Sequence, residues 1–176
     1  MSLARPTVLP SLVESAAAGD QDALAQIMAA HDGDMARVCM VICGDVDTAR
    51  EAVQAAWPIA WRKLGSLRDP ARLRPWLVSV AANEARQIMR SDRRRTARER
   101  HLAPPAPADP GERSDYLDLA AAVSRLETDD RRLIGFRYVA GLSSAEIARE
   151  MGGTAAAVRG RLARAVQRLR RDLVDD

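Results

Sequence analysis

LSSAEIAREMGGTAAAVRGRLARAVQRL, residues 142–169, is the stretch on which the reading of this chain turns. Ser143 is followed three residues later by Glu146, the spacing of a capping box, so a short helix starts here with Ile147 and Met151 facing inward. Gly152-Gly153 makes a turn and Thr154 caps again. A longer helix then runs to about Leu173 and buries Val158, Leu162, Ala165 and Leu169. A short helix, a glycine-containing turn and a longer arginine-bearing helix make a helix-turn-helix. On its exposed side Ala156, Gly160 and Ala163 form a low ridge, flanked by Arg159 on one edge and by Arg161 and Arg164 on the other. Small residues let a backbone approach a major groove, while arginines reach guanine edges and phosphates. An ordinary helical hairpin within a bundle is the alternative reading of the same residues.

Upstream of this motif, Tyr116 to Leu126 reads as a helix. A second starts near Thr128-Asp129-Asp130, which can cap it, and carries Leu133, Ile134, Phe136, Tyr138 and Val139 up to the break at Gly141-Leu142. From His101 to Asp115 the chain holds Pro104, Pro105, Pro107 and Pro110. Proline that dense removes backbone donors and fixes φ, so 101–115 is expected to be a linker between domains 1–100 and 116–176.

The first of these domains also reads as helices. One starts at Asp20 or Gln21 and runs through Leu24, Ile27, Met28, Met35, Val38 and Ile42, with a break expected near Gly33 and an end at Gly44-Asp45. Asp47 or Thr48 can cap the next, whose apolar stripe is Val53, Trp57, Ala60, Trp61 and Leu64. Pro58 inside it deletes the bond to the Gln54 carbonyl, at an expected cost of about 3 kcal/mol or a kink. The helix after Pro70 buries Leu73, Trp76, Leu77, Val80, Ala81, Ala85 and Ile88. At about 100° per residue, its other side gathers Ser79, Asn83, Arg86, Gln87, Arg90 and Arg94, with Arg93, Arg95 and Arg98 beyond. Asn, Gln and Arg can hydrogen-bond base edges in two places, which a lysine face cannot do. A hydrated arginine face is the bland alternative.

Composition agrees with an all-α fold of two small helical domains joined by the proline-rich linker, the second a helix-turn-helix. The chain has 176 residues, 47% of them apolar but only 3% aromatic, and 26 of its 27 basic residues are arginine. Ala, Leu and Arg favour helices. The net charge of +3 hides a segregation: residues 86–100 carry 7 basic and 2 acidic groups, 101–130 carry 2 and 7, and 131–174 carry 10 and 3. Two basic blocks around an acidic stretch point to two contacts with a polyanion, or to two solvated faces. No run reaches the roughly 18 apolar residues of a membrane span, and no signal sequence is visible, so a cytoplasmic location without membrane insertion is expected. Cys39 and Cys43, with His31 nearby, fall short of the four ligands of a closed zinc site, so they are expected to be core, and no metal or cofactor is expected. No glycine-rich phosphate loop or nucleophile setting supports an enzyme. A DNA-binding repressor would explain 131–174 but would leave the Asn83 stripe without a role.

The run Leu142 to Ala148, then Met151-Gly152 and Val158 to Ala165, resembles the promoter-binding C-terminal domain of bacterial sigma factors. Ala49 to Gln54 with Trp57, Ala60 and Trp61 resembles their polymerase-docking helix, and Arg74 to Leu77 with Ala81-Ala82-Asn83 and Arg90 resembles their helix for the melted promoter. Two domains with no middle one match the extracytoplasmic-function (group IV) subfamily. The resemblance implies a non-catalytic initiation factor that binds core RNA polymerase at the beta-prime clamp helices and beta flap, and promoter DNA. An anti-sigma factor is a further partner it allows. By the same resemblance Glu51, Gln54, Trp57 and Trp61 are polymerase-binding. Arg68, Arg72, Asn83, Arg86, Gln87, Arg90, Arg93 and Arg94 face the minus-ten element, the loop Leu67 to Arg72 taking a flipped base. Thr154, Ala156, Ala157, Arg159, Gly160, Arg161 and Arg164 face the minus-thirty-five element. Ala55, Trp57 with Pro58, Gln87 and Gly153 depart from the family pattern.

Overall fold

The computed structural model describes residues 10–99 and 115–174, with side chains described for 10–94 and 118–173. The proline-rich segment and the side chains of Arg95 and Arg98 lie outside the described residues. The helices are α1 (Pro10–Ala17), α2 (Gln21–Cys43), α3 (Val46–Lys63), α4 (Leu73–Glu99), α5 (Asp115–Arg125), α6 (Thr128–Ile134), α7 (Ser144–Met151) and α8 (Ala155–Val174). No strand occurs among the described residues.

Local chemistry sets most helix ends. The Asp20 carboxylate accepts from the backbone N–H groups of Asp22 (2.9 Å) and Ala23 (3.1 Å), satisfying donors that the first turn leaves free. Gly44, at φ +76°, ends α2 by donating its N–H to the Met40 carbonyl. Between these ends α2 runs unbroken through Gly33, against the expected break. One glycine costs a helix about 1 kcal/mol, less than the burial of Ile27, Met35, Val38 and Ile42 along the same helix contributes. A Cβ at Gly33 would meet only the Arg37 guanidinium, at 3.5 Å. Gly33→Ala should therefore raise stability by about 0.5–1 kcal/mol, read as a higher urea midpoint. An unchanged or lower midpoint would mean that the helix needs its glycine.

The cap of α3 is Asp45, not Asp47 or Thr48; its Oδ2 accepts from the Thr48 backbone N–H and hydroxyl, both at 2.7 Å. Pro58 leaves α3 continuous, and its ring is exposed while Ala56, Trp57 and Ala60 are buried around it. Packing thus outweighs the missing backbone bond. The apolar stripe is buried at Val53, Trp57, Ala60 and Leu64 as periodicity indicated, but Trp61 departs from it and is 40% exposed. In α4 Leu73, Leu77, Val80, Ala81 and Ala85 are buried as expected, Trp76 and Ile88 are half-buried, and Ser79 is buried instead of exposed.

The second half differs more from expectation. Helix α6 is capped by the Glu127 backbone without a side-chain bond, and Thr128 and Asp130 are buried instead of capping. It continues as a π-helical turn over Gly135–Val139, closed by the Ala140 N–H donating to the Gly135 carbonyl. Two residues apart, Phe136 and Tyr138 lie on opposite sides of this turn, Phe136 fully buried and Tyr138 63% exposed. Ser143 and Glu146 form the capping box, and Thr154 caps α8 through the Ala157 N–H at 3.1 Å. Val158, Leu162, Ala165 and Leu169 are buried. The two bundles share one hydrophobic cluster instead of standing apart. At their junction a Cβ on Gly135 would lie 3.2 Å from Val38 Cγ1, a tight contact that the Val38 side chain would have to relieve by a few tenths of an ångström.

Candidate nucleic-acid interface

Three exposed helix faces carry the residues singled out from the sequence. On α4, Asn83, Gln87, Arg90, Arg93 and Arg94 are exposed and Arg86 is half-buried. Arg68 is exposed on the preceding loop, where Asp69 accepts from the Ala71 N–H (3.0 Å) and shapes the turn Pro70–Arg72. A cleft of about 520 Å³ opens between α3, α4 and α7, lined by Ile59, Lys63, Trp76, Asn83, Gln87 and Glu150, with Ser79 also on its wall. Its walls offer amide and charged groups beside one large ring.

Several of these α4 groups are engaged by the second bundle. Arg86 Nε lies 2.7 Å from Asp129, Arg72 lies 2.6 Å from Glu150, and Arg93 lies 3.6 Å from Glu127. Asn83 accepts a hydrogen bond from Arg132 at 2.8 Å, and Gln87 donates to Glu84 at 2.7 Å. Arg90 and Arg94 have no ion pair among the described residues. Burial opposes ionisation of Asp129, but the guanidinium groups of Arg86, Arg132 and Arg161 outweigh it and hold its carboxyl below the usual range.

On α8, Thr154, Ala156, Ala157, Arg159 and Arg164 are exposed, with Gly160 half-buried. A Cβ on Gly160 would only touch the Arg164 guanidinium at 3.6 Å, so nothing inside the protein demands a glycine there. Arg161 is not a free edge residue: it donates to the buried Asp130 at 3.2 Å, which also accepts from Arg168 at 2.7 Å.

On α3, Glu51, Gln54 and Trp61 fall on one exposed face, together with Ala55, Pro58 and Arg62. Trp57 does not join them. It is 8% exposed, and its Nε1–H donates to Asp32 of α2 at 2.9 Å. The ring is core, so the expectation that Trp57 contacts a partner is corrected. Its flank lines a groove between α2 and α3 with Met28, Ala36, Val46 and Val53.

Sequence reasoning missed a buried charge cluster. Arg131 and Arg132 are 3% and 5% exposed; the Arg132 guanidinium lies 5.7 Å from the Phe136 ring centre and 3.6 Å from Asp129. A run of four charges reads as solvent-facing in any periodicity analysis, and only the packing of α6 against α4 and α8 shows otherwise. Arg74, paired with Asp34, reaches across to the Ala140 carbonyl at 2.7 Å.

Cys39 and Cys43 are buried and unbridged, with burial pushing their thiols up to about 12 and about 11. No group of His, Cys, Asp and Glu among the described residues is arranged to hold a metal ion. His31 is 4% exposed, and neither ring nitrogen has a hydrogen-bond partner. Burial lowers its pKa from 6.5; Asp34 partly opposes this and Arg74 adds to it. A depressed histidine binds its proton more readily when unfolded, so its contribution is full above pH 6.5 and shrinks as pH falls toward the folded value. Unfolding titrations should therefore show stability declining below about pH 6.5, with the decline reduced in His31→Leu. Identical pH profiles would show that His31 is not what titrates.

No helix among the described residues is long and apolar enough to cross a membrane. Residues 27–95 match the family model for sigma-70 region 2, and residues 116–169 match that for sigma-70 region 4. The extracytoplasmic-function RNA polymerase sigma factor SigL of Mycobacterium tuberculosis is 31% identical, over 90% of this chain and 93% of that protein. The probable RNA polymerase sigma factor RfaY of Xanthomonas campestris is 32% identical over 90% of this chain, which spans only 42% of that protein. Among solved structures, CnrH in complex with the cytosolic domain of CnrY matches with a TM-score of 0.70 and 27% identity, over 94% of this chain and 97% of that one. The sigma factor RpoE in complex with the anti-sigma factor NepR, from Bartonella quintana, matches with a TM-score of 0.65 and 25% identity, over 81% of this chain and 91% of that one.

Proposed function

The chain belongs to the sigma-70 family, in its extracytoplasmic-function branch, and we propose that it is a transcription initiation factor that binds core RNA polymerase, directs it to two-element promoters and assists strand separation. Residues 1–100 act as the polymerase-binding and minus-ten domain, 101–115 as the linker, and 116–176 as the minus-thirty-five domain. Glu51, Gln54 and Trp61 meet the beta-prime clamp helices, and the second domain meets the beta flap. Asn83, Gln87, Arg90 and Arg94, with Arg68, Arg72, Arg86 and Arg93, engage the minus-ten element. Thr154, Ala156, Ala157, Arg159, Gly160 and Arg164 present α8 to the major groove of the minus-thirty-five element. Arg161 steadies that helix through Asp130. Catalysis belongs to the polymerase, and the factor works in the cytoplasm, where an anti-sigma factor is a second partner.

The observation that carries this reading is the pair of exposed, base-competent faces on α4 and α8, set in one chain beside an exposed α3 face that uses neither. A repressor would need only α8. Glu51→Ala with Gln54→Ala should weaken binding to purified core polymerase at least about tenfold, which corresponds to about 1.4 kcal/mol, while the helical circular dichroism stays unchanged. Retained affinity in a folded double variant would remove the α3 assignment.

A further inference from the structure

A cavity of about 420 Å³ opens between α2, α5, α6 and α8, and none of its lining residues belongs to the three faces assigned above. Its volume is that of a pocket for a small organic molecule. Val41, Val123, Ile134 and Leu169 make the wall apolar. Leu119 and Tyr138, also on the wall, are 44% and 63% exposed, so the cavity is open to solvent on their side. Ser124 offers little, because its hydroxyl already donates to the Ala121 carbonyl at 2.7 Å.

Arg131 is the one charged residue lining this cavity, and it is 3% exposed. Its neighbour Arg132 is met by Asp129 and Asn83, whereas Arg131 has no ion pair among the described residues. The Arg131 Nε has no hydrogen-bond partner, and the contact of its Nη2 with Thr128 Oγ1 is a long 3.5 Å. Burial, and after it the charge of Arg93, pull its pKa below the ordinary arginine value, against Cys43 and Glu127. An arginine still keeps its proton at neutral pH, so a buried cation stands in an apolar wall without an anion. A carboxylate meets a guanidinium through two parallel hydrogen bonds and brings one negative charge for one positive. A phosphate dianion would bury a second, unmatched charge.

We propose that this cavity is a binding site for a small monocarboxylate with an apolar tail, its head paired with the Arg131 guanidinium and its tail among Val41, Val123, Ile134 and Leu169. The site stands apart from the promoter-binding assignments and does not depend on them. Its occupant touches α2 of the first bundle and α5, α6 and α8 of the second.

Titration calorimetry of the full chain with sodium decanoate, below its micellar range, tests the site. One decanoate is expected to bind per chain and to raise the thermal unfolding midpoint. Decanol and decyltrimethylammonium, which share the tail but lack the carboxylate, should bind at least about tenfold more weakly. Arg131→Met, which keeps an apolar stem and removes the charge, should weaken decanoate by at least about tenfold and leave decanol unchanged. Arg149→Met makes the same charge change on exposed α7 and should bind decanoate as the wild type does. Ala120→Trp, at an exposed position on the cavity wall, should block both ligands by filling the space. The comparison of head groups on the wild-type chain decides the matter even if Arg131→Met loses its helical signal. No binding of decanoate, equal binding of all three head groups, or uptake of many molecules per chain overturns the proposal. So does an unchanged affinity in folded Arg131→Met. A concentration-dependent doubling of mass in sedimentation, lost in Ala120→Trp, would assign the cavity to a second copy of the chain instead and overturn it as well.

Discussion

Trp57→Ala should lower folding stability by about 3–5 kcal/mol, whereas Trp61→Ala, four residues further along the same helix, should cost about 1 kcal/mol or less. The two rings occupy different environments. Trp57 is 8% exposed among Val53, Ala56 and Ala60, and its Nε1–H is satisfied by Asp32, which ties α2 to α3. Truncation leaves a cavity that surrounding helices fill only in part and removes the hydrogen-bond donor that Asp32 accepts from. Trp61, 40% exposed, loses mainly surface. For polymerase binding the order reverses. On the proposed α3 assignment, Trp61→Ala is expected to weaken the interaction in folded protein, while Trp57→Ala is expected to act only through the fraction that remains folded. Urea unfolding followed by circular dichroism checks the first half of this expectation. Equal costs at the two positions would mean that Trp57 is not the core residue described.

The second large effect is at Arg159. Its side chain is exposed on the α8 ridge, beside Ala156 and Gly160, with no ion pair among the described residues. Arg159→Ala should weaken binding to a duplex carrying the upstream element by about 1–3 kcal/mol, roughly 5- to 150-fold, if the arginine reads a base. The loss should then be confined to that element and leave random duplex binding nearly unchanged. Arg161→Ala is expected to behave differently. That guanidinium is held by Asp130, so its removal loosens α6 against α8 and lowers stability more than it alters sequence preference. If Arg159→Ala lowers affinity equally on specific and random duplexes, and reduces the salt dependence by about one phosphate contact, base readout is eliminated at that position.

Much of this architecture was legible because its signals are local. The Ser143–Glu146 box, the Thr154 cap and the Asp20 cap each depend on residues within three positions, and each forms as expected. The buried stripe of α8 follows from period alone. What escaped depends on distant chain. Gly33 does not break α2 because packing along the whole helix outweighs a single local preference. Asp129 and Asp130 look like a cap in sequence but serve Arg86, Arg132, Arg161 and Arg168 in space. The π-helical turn after Ile134 has no sequence periodicity of its own, so nothing in the helical wheel announces it. For the site, the exposed positions of Asn83, Gln87, Arg90 and Arg94 followed from the helical wheel. The wheel also put Trp57 in the buried stripe, and only the family resemblance pointed that ring toward a partner; Trp61 is the stripe residue that the wheel misplaced. The acids that meet α4 come from sequence positions more than thirty residues away, beyond the reach of any helical wheel.

Run-off transcription with purified core polymerase over a library of randomised promoter sequences tests the central claim most directly, because it demands α3, α4 and α8 at once. The expected result is transcripts from a subset of templates sharing two spaced elements, lost when Asn83 with Arg90, or Arg159, is replaced by alanine. Transcription no more selective than that of core polymerase alone, from protein shown to be folded and able to bind DNA, would contradict the account.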